Sequence, residues 1–163
     1  GMMGVGKSTI GRNLAKVLAL KFIDIDQIIE SKEKSTIKSL FEKNGEDYFR
    51  KIEKKITLEE LKKNNQVIAL GGGAFLNPQI RKEIKNTCIS FWLDLNINNL
   101  ILRLKNAKKR PLLDQANLEE SVNKIYSSRK KIYNEANFKI KCNTKDKGKI
   151  VQEIISLYES SGN

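Results

Sequence analysis

The chain begins Gly1-Met2-Met3-Gly4-Val5-Gly6-Lys7-Ser8-Thr9, a complete G-x-x-x-x-G-K-S phosphate-binding loop. Glycines let the backbone turn at positive φ and approach a phosphate with no Cβ in the way. Successive N–H groups then form a concave anion site, and the helix that opens near Lys7 adds its positive end. Lys7 can reach the β- and γ-phosphates of a nucleoside triphosphate, and the Ser8 hydroxyl can ligate Mg²⁺. Gly-rich turns before helices are common for purely structural reasons. Here the amphipathic run Ile10, Leu14, Val17, Leu18 follows a full match, which favours nucleotide binding. The motif needs a strand in front of it, so a short apolar strand of about five residues is expected ahead of Gly1.

Five other groups could do chemistry. Asp24 and Asp26 fall at the end of the short strand-like run Phe22-Ile23-Asp24, where ligands of open α/β sheets gather. Alternation along an extended chain sends both carboxylates to one side, suited to Mg²⁺ and a substrate hydroxyl; alternatively, Asp26 caps a helix starting at Gln27. Arg50 and Glu53 stand one helical turn apart and can pair, which fixes a guanidinium fork for a planar carboxylate. An ordinary surface ion pair would look the same in sequence. Gly71-Gly72-Gly73 directly follows an apolar strand, where three glycines cost backbone entropy and make sense where a ligand must touch the main chain. A tight strand-to-helix turn needs only one. Finally, Lys108-Lys109-Arg110-Pro111-Leu112-Leu113 lies in a polar loop, from which a basic residue can close over a triphosphate. Arg129, with Tyr133 one turn later, can offer a second guanidinium.

The elements that must position these groups alternate between helix and strand, the pattern of an α/β parallel sheet. Helices are expected from Lys7 to about Leu20, Gln27 to about Lys34, Ile37 to Asn44 and Glu46 to about Lys63, with Gly45 ending the third. Others follow Pro78, then run from Asn96 to about Lys105, Leu118 to about Glu135 and Lys149 to Ser160. Strands are expected at 22–24, 66–70, 88–93 and 138–142. The 163 residues suit one domain, 1–163, with a mobile lid at about 106–117. A net charge of +12 favours anionic ligands. Most lysines are interspersed with glutamates along helices and read as a solvated face. Cys88 and Cys142 lie in apolar runs and read as small buried hydrophobes, which suits a reducing cytoplasm. There is no histidine, so a His general base is excluded and a zinc site is disfavoured.

Taken in order, these motifs resemble the shikimate kinase family. The matching pieces are Gly1–Thr9, Asp24-x-Asp26, G-E-x-x-F-R-x-x-E from Gly45 to Glu53, Gly71–Gly73, R-P-L-L from Arg110 to Leu113, and R-x-x-x-Y from Arg129 to Tyr133. The resemblance implies a three-layer αβα P-loop kinase with a five-stranded parallel sheet in the order 2-3-1-4-5, its first strand being the one expected before Gly1. It implies transfer of the ATP γ-phosphoryl group to the 3-hydroxyl of shikimate, in chorismate and aromatic amino-acid biosynthesis, by a cytoplasmic monomer acting without nucleic acid or membrane.

Residue by residue, the resemblance implies that Gly4, Val5, Gly6, Lys7, Ser8 and Thr9 hold the ATP phosphates. Ser8 ligates Mg²⁺, with Asp24 acting through a water. Asp26 binds the substrate hydroxyls and orients or deprotonates the attacking one. Arg50 and Arg129 clamp the carboxylate, in a substrate region of about 26–60, while Gly71, Gly72 and Gly73 line the pocket. Arg110 is the lid arginine, catalytic with Lys7 and Asp26, and Arg103 stacks on adenine. Lys131 stands where the family often has proline. Other readings are a kinase of another small hydroxy acid such as gluconate, an AMP phosphorylator, or a basic nucleotide-dependent nucleic-acid-binding module, which leaves Asp24, Asp26 and the triple glycine without a role.

Overall fold

A computed structural model describes residues 1–105, 117–143 and 146–162. Helix α1 (Lys7–Val17) leads into strand β1 (Lys21–Asp24), α2 (Ile25–Glu33) and α3 (Ile37–Leu61). Strand β2 (Gln66–Ala69) and a 3-10 turn (Ala74–Leu76) precede α4 (Pro78–Thr87), β3 (Phe91–Asp94) and α5 (Ile97–Lys105). Then come α6 (Leu118–Tyr133), β4 (Phe138–Lys141) and α7 (Lys147–Ser160).

Local chemistry accounts for these limits. The Thr36 hydroxyl caps α3 by accepting from the Ser39 N–H, and Asn77 caps α4 with Pro78 in the first turn, where a missing N–H costs nothing. Asp146 caps α7. Gly45 breaks α3 at φ 80° and ψ 172°, the helix end that its position in the sequence implies. The expected strand at 88–93 begins only at Phe91, because Cys88 still serves as the C-cap of α4. Cys88 is accordingly half-buried and only Cys142 is buried.

Among the described residues the strands form two parallel pairs. β1 lies beside β2 with Asp24 opposite Ala69, and β3 lies beside β4 with Asp94 opposite Lys141. The described residues thus form two ribbons where a five-stranded sheet is expected. Between β2 and β3 lies a cavity of about 840 Å³, lined by Ile10, Leu14, Val67, Phe75 and Trp92 with Gly1 among its walls.

The larger hydrophobic cluster gathers Ile80, Leu100, Leu104, Val122, Tyr133 and Ile140 with their neighbours on α1 and α7. A smaller one, Ile23, Ile25, Ile29, Leu40, Phe49 and Ile56, joins α2 to α3 beside β1. Ile25 and Ile29 are completely buried there, each contributing roughly 1.5–3 kcal/mol of apolar transfer. That small cluster fixes how the Asp26 end of α2 meets the Arg50 turn of α3.

Candidate active site

The phosphate loop has the backbone that its glycines permit. Gly4 and Gly6 take φ 76° and 104°, values that side-chain-bearing residues rarely adopt. A Cβ on Gly4 would also lie 2.9 Å from Leu104 Cδ2, so space as well as torsion demands glycine. Gly6 is the N-cap of α1, its carbonyl accepting from the Ile10 N–H. With no side-chain cap at Gly6, the first N–H groups of α1 have no intrahelical partner and remain available to an anion. Lys7 Nζ folds over the loop and donates to the Gly1 and Met2 carbonyls at 3.0 and 2.8 Å. Ser8 and Thr9 are exposed at the helix start. Arg103, reaching across from α5, donates to the Val5 carbonyl at 3.0 Å. The structure thus joins the distant Arg103 to the nucleotide loop.

At the end of β1 the structure corrects one expectation. The strand passes straight into α2 at Ile25, so Asp24 and Asp26 are not two residues of one extended chain. Asp24 is the cap: its Oδ1 accepts from the N–H groups of Asp26 at 3.1 Å and Gln27 at 3.4 Å. Asp26 sits in the first helical turn, where a carboxylate interacts favourably with the helix dipole. The helix-cap alternative fails for Asp26 and holds for Asp24.

The triple glycine draws the remaining groups together. The Cβ position of Gly71 lies 2.5 Å from Glu53 Oε1 and 2.8 Å from Asp26 Oδ1. The corresponding position of Gly73 falls within the Arg50 guanidinium. The Gly72 carbonyl accepts from Arg129 Nη1 at 3.2 Å and from the Tyr133 hydroxyl at 2.5 Å. None of these three glycines has positive φ; Gly71 and Gly73 are glycines because carboxylates and a guanidinium group pack against the bare main chain.

Arg50 is anchored on both sides. Nη1 donates to Glu53 Oε2 at 2.6 Å, and Nε and Nη2 donate to Glu46 Oε1 at 3.0 and 2.9 Å. The i, i+3 pairing read from the sequence is present, and it is not an ordinary surface pair, since Glu53 is 2% exposed. Burial raises the Glu53 pKa, Asp26 adds to the rise, and Arg50 and Arg129 oppose it. Burial works to lower the Arg50 pKa, but the Glu53 and Glu46 carboxylates outweigh it and hold the guanidinium charged. Glu53 Oε1 is buried without a hydrogen-bond partner among the described residues. A buried acceptor of this kind is costly, and it points toward the same place as Asp26.

Sequence reasoning named Glu53 only as the partner of Arg50 and Tyr133 only as the end of a motif; both belong to this assembly. The spacing exposed the pairing but not the burial, which arises when the glycine segment closes over α3. Arg110 lies outside the described residues.

The fold and site define an α/β protein in which a phosphate-loop sequence motif lies beside a glycine segment packed by two carboxylates and two guanidinium groups. A family model described as shikimate kinase matches residues 3–159. The shikimate kinase of a Sulfurihydrogenibium species is 40% identical over 156 residues, covering 96% of this chain and 93% of that protein. A structure of shikimate kinase from Acinetobacter baumannii in complex with shikimate superposes with a TM-score of 0.94 at 34% identity, covering 99% of this chain and 91% of that one. Shikimate kinase from Bacteroides thetaiotaomicron gives a TM-score of 0.90 at 30% identity, over 98% and 95% of the two chains. The chain belongs to the shikimate kinase family.

Proposed function

We propose that this chain transfers the γ-phosphoryl group of ATP to the 3-hydroxyl of shikimate. The observation that carries the reading is the convergence on Gly71–Gly73. One bare stretch of main chain touches Asp26, Glu53, Arg50 and Arg129, beside a loop built to hold phosphates. A small ring with one carboxylate and several hydroxyls complements that set. The carboxylate meets the Arg50 and Arg129 forks, and the hydroxyls meet Asp26.

In the reaction the 3-oxygen attacks the γ-phosphorus and the bond to the ADP oxygen breaks. The hydroxyl proton passes to the Asp26 carboxylate. Such transfers pass through a loose transition state and depend on positioning and charge neutralisation. Gly4–Thr9 cradle the phosphates with main-chain N–H groups. Lys7 exchanges its two loop carbonyls for phosphate oxygens, and Arg110 and Arg103 take the lid and adenine-side roles. Asp26 needs no great basicity, because the proton leaves late.

Mg²⁺ fits the donors present. The exposed Ser8 hydroxyl offers one ligand and Asp24, whose Oδ1 is engaged in capping, acts through a water. A site that supplies few protein ligands and leaves several waters suits this ion. When bound, it neutralises charge on the phosphates.

The same reading completes the architecture. A strand leading into Gly1 would fit the slot between β2 and β3 and join the two ribbons into one parallel sheet, β1-β2-(N-terminal strand)-β3-β4, which is the order 2-3-1-4-5 when that strand is counted first, within a single domain. The volume of the slot supports this, as do the apolar residues Ile10, Leu14, Val67 and Phe75 among its walls and Trp92, a wall residue whose Nε1 is buried without a hydrogen-bond partner among the described residues. The enzyme acts as a cytoplasmic monomer, and among the described residues no helix is long and apolar enough to cross a membrane.

A coupled assay of ADP release, with shikimate, gluconate and AMP compared as acceptors, tests the assignment. Turnover with shikimate alone is expected. Turnover with either of the others at a comparable kcat/KM overturns it.

A further inference from the structure

Tyr133 ends α6 at 1% exposure. Its ring tilts against Trp92, with centroids 5.9 Å apart. A buried tyrosine hydroxyl needs a partner, and this one donates to the Gly72 carbonyl. Arg129, one turn earlier on the same helix face, donates to the same oxygen. Two donors from α6 therefore converge on one peptide. The segment they grip has no side chains of its own, and glycine has more backbone freedom to lose than any other residue. A trans peptide is planar, so holding the Gly72 carbonyl also fixes the Gly73 N–H on the opposite side. The shared acceptor also occupies Arg129 Nη1, which sets the direction of the rest of that guanidinium plane.

We infer that Tyr133 is a positioning residue: its hydroxyl and Arg129 together lock the Gly72–Gly73 peptide, and the lock aims both the Arg129 fork and the bare main chain at the acceptor's carboxylate end. The inference rests on the proposed role of Arg129 in acceptor binding. Burial raises the Tyr133 pKa further above its ordinary value, so the hydroxyl keeps its proton and remains a donor through the neutral range. The competing explanation is a core tyrosine whose hydroxyl is merely satisfied by the nearest carbonyl.

The test is Tyr133→Phe, which deletes one oxygen and keeps the ring against Trp92, run beside Arg129→Ala. Shikimate affinity is read by calorimetry, and KM for shikimate and for ATP by the coupled assay. The lock predicts that the phenylalanine protein binds shikimate roughly three- to tenfold more weakly, the loss of one net hydrogen bond. KM for ATP should stay within twofold of the parent. If Arg129→Ala weakens shikimate binding and Tyr133→Phe does not, the inference is overturned while the site reading stands. Equal losses toward shikimate and ATP overturn it in favour of a structural role. If Arg129→Ala leaves shikimate binding unchanged, the site reading falls and the inference with it. Should the phenylalanine protein be too unstable to titrate, the ¹³C resonance of the Gly72 carbonyl in wild-type protein decides. A downfield position held on adding shikimate supports the lock, and an unbonded value overturns it.

Discussion

Gly71→Ala separates space from backbone conformation at the centre of the site. Gly71 does not have positive φ, so alanine meets no torsional penalty there and gains about 0.4–1 kcal/mol by restricting the unfolded chain. The methyl group has nowhere to go. It would stand 2.5 Å from Glu53 Oε1 and 2.8 Å from Asp26 Oδ1, so the Glu53 oxygen must retreat by about 0.9 Å to reach an ordinary 3.4 Å contact. Glu53 is buried and paired to Arg50, and Asp26 is held by the capped first turn of α2. Both therefore resist the shift, and overpacking of this kind costs about 1–3 kcal/mol. Displacement of reacting groups by about 1 Å can cost on the order of 10²-fold in rate. The substitution is thus expected to lower kcat about 100-fold, or roughly 2.7 kcal/mol of barrier, with a stability loss of at most about 2.5 kcal/mol. Steady-state kinetics and urea melts measure the two effects. Gly72→Ala is the internal control: its methyl would lie 3.4 Å from the Met3 nitrogen and 3.6 Å from Arg129 Nη1, so kcat should fall only a few-fold. Near-wild-type kcat in Gly71→Ala, or equal losses in the two variants, would refute the steric reasoning.

Asp26→Asn should retain ATP affinity, measured by displacement of a fluorescent nucleotide, and lose about 10²-fold or more in kcat; near-normal turnover would remove Asp26 from the reaction. Arg50→Ala should raise KM for shikimate about 10- to 100-fold, the loss of charge-assisted hydrogen bonds, and leave KM for ATP nearly unchanged. Equal losses would assign Arg50 to structure. Glu53 gives a pH signature. Its pKa is raised above 4.5, chiefly by burial, so the native state holds this proton more tightly than the unfolded chain does. Its contribution to stability is fully present below 4.5 and is lost as pH rises through the folded value. The stability of the wild type minus that of Glu53→Gln, from urea melts, should therefore decline as pH rises above 4.5. A difference that grows with pH contradicts the sign.

Much of the site was written in local spacing. The loop glycines, the Arg50–Glu53 pair, the helix break at Gly45 and the clustering of three glycines after β2 each follow from short-range rules, and the structure contains each of them. What spacing does not reveal is which groups face one another across elements. Glu53 reads as half of a surface pair until the glycine segment covers it. Tyr133 reads only as the end of the R-x-x-x-Y motif until its hydroxyl meets Gly72, 61 positions away. Asp24 and Asp26 read as one extended run because a strand that becomes a helix with no turn between them leaves no punctuation. The boundary at Phe91 was misplaced for a related reason: Cys88, Ile89 and Ser90 have strand-like composition, but the end of α4 claims the first of them. The parallel α/β pairing of the strands is legible in the sequence, and so, through the family resemblance, is a strand between β2 and β3; the walls of the slot that would receive it are visible only in the folded chain.

The proposed function requires that the forks of Arg50 and Arg129 hold a carboxylate while Asp26 holds the alcohol that reacts. A crystal structure of the protein with shikimate, Mg²⁺ and ADP measures this directly. The carboxylate is expected about 2.7–3.2 Å from nitrogens of both guanidinium groups and the 3-hydroxyl at similar distance from Asp26, facing the phosphate loop. A ring bound the other way round, with its carboxylate at the loop and its 3-hydroxyl away from Asp26, would contradict it.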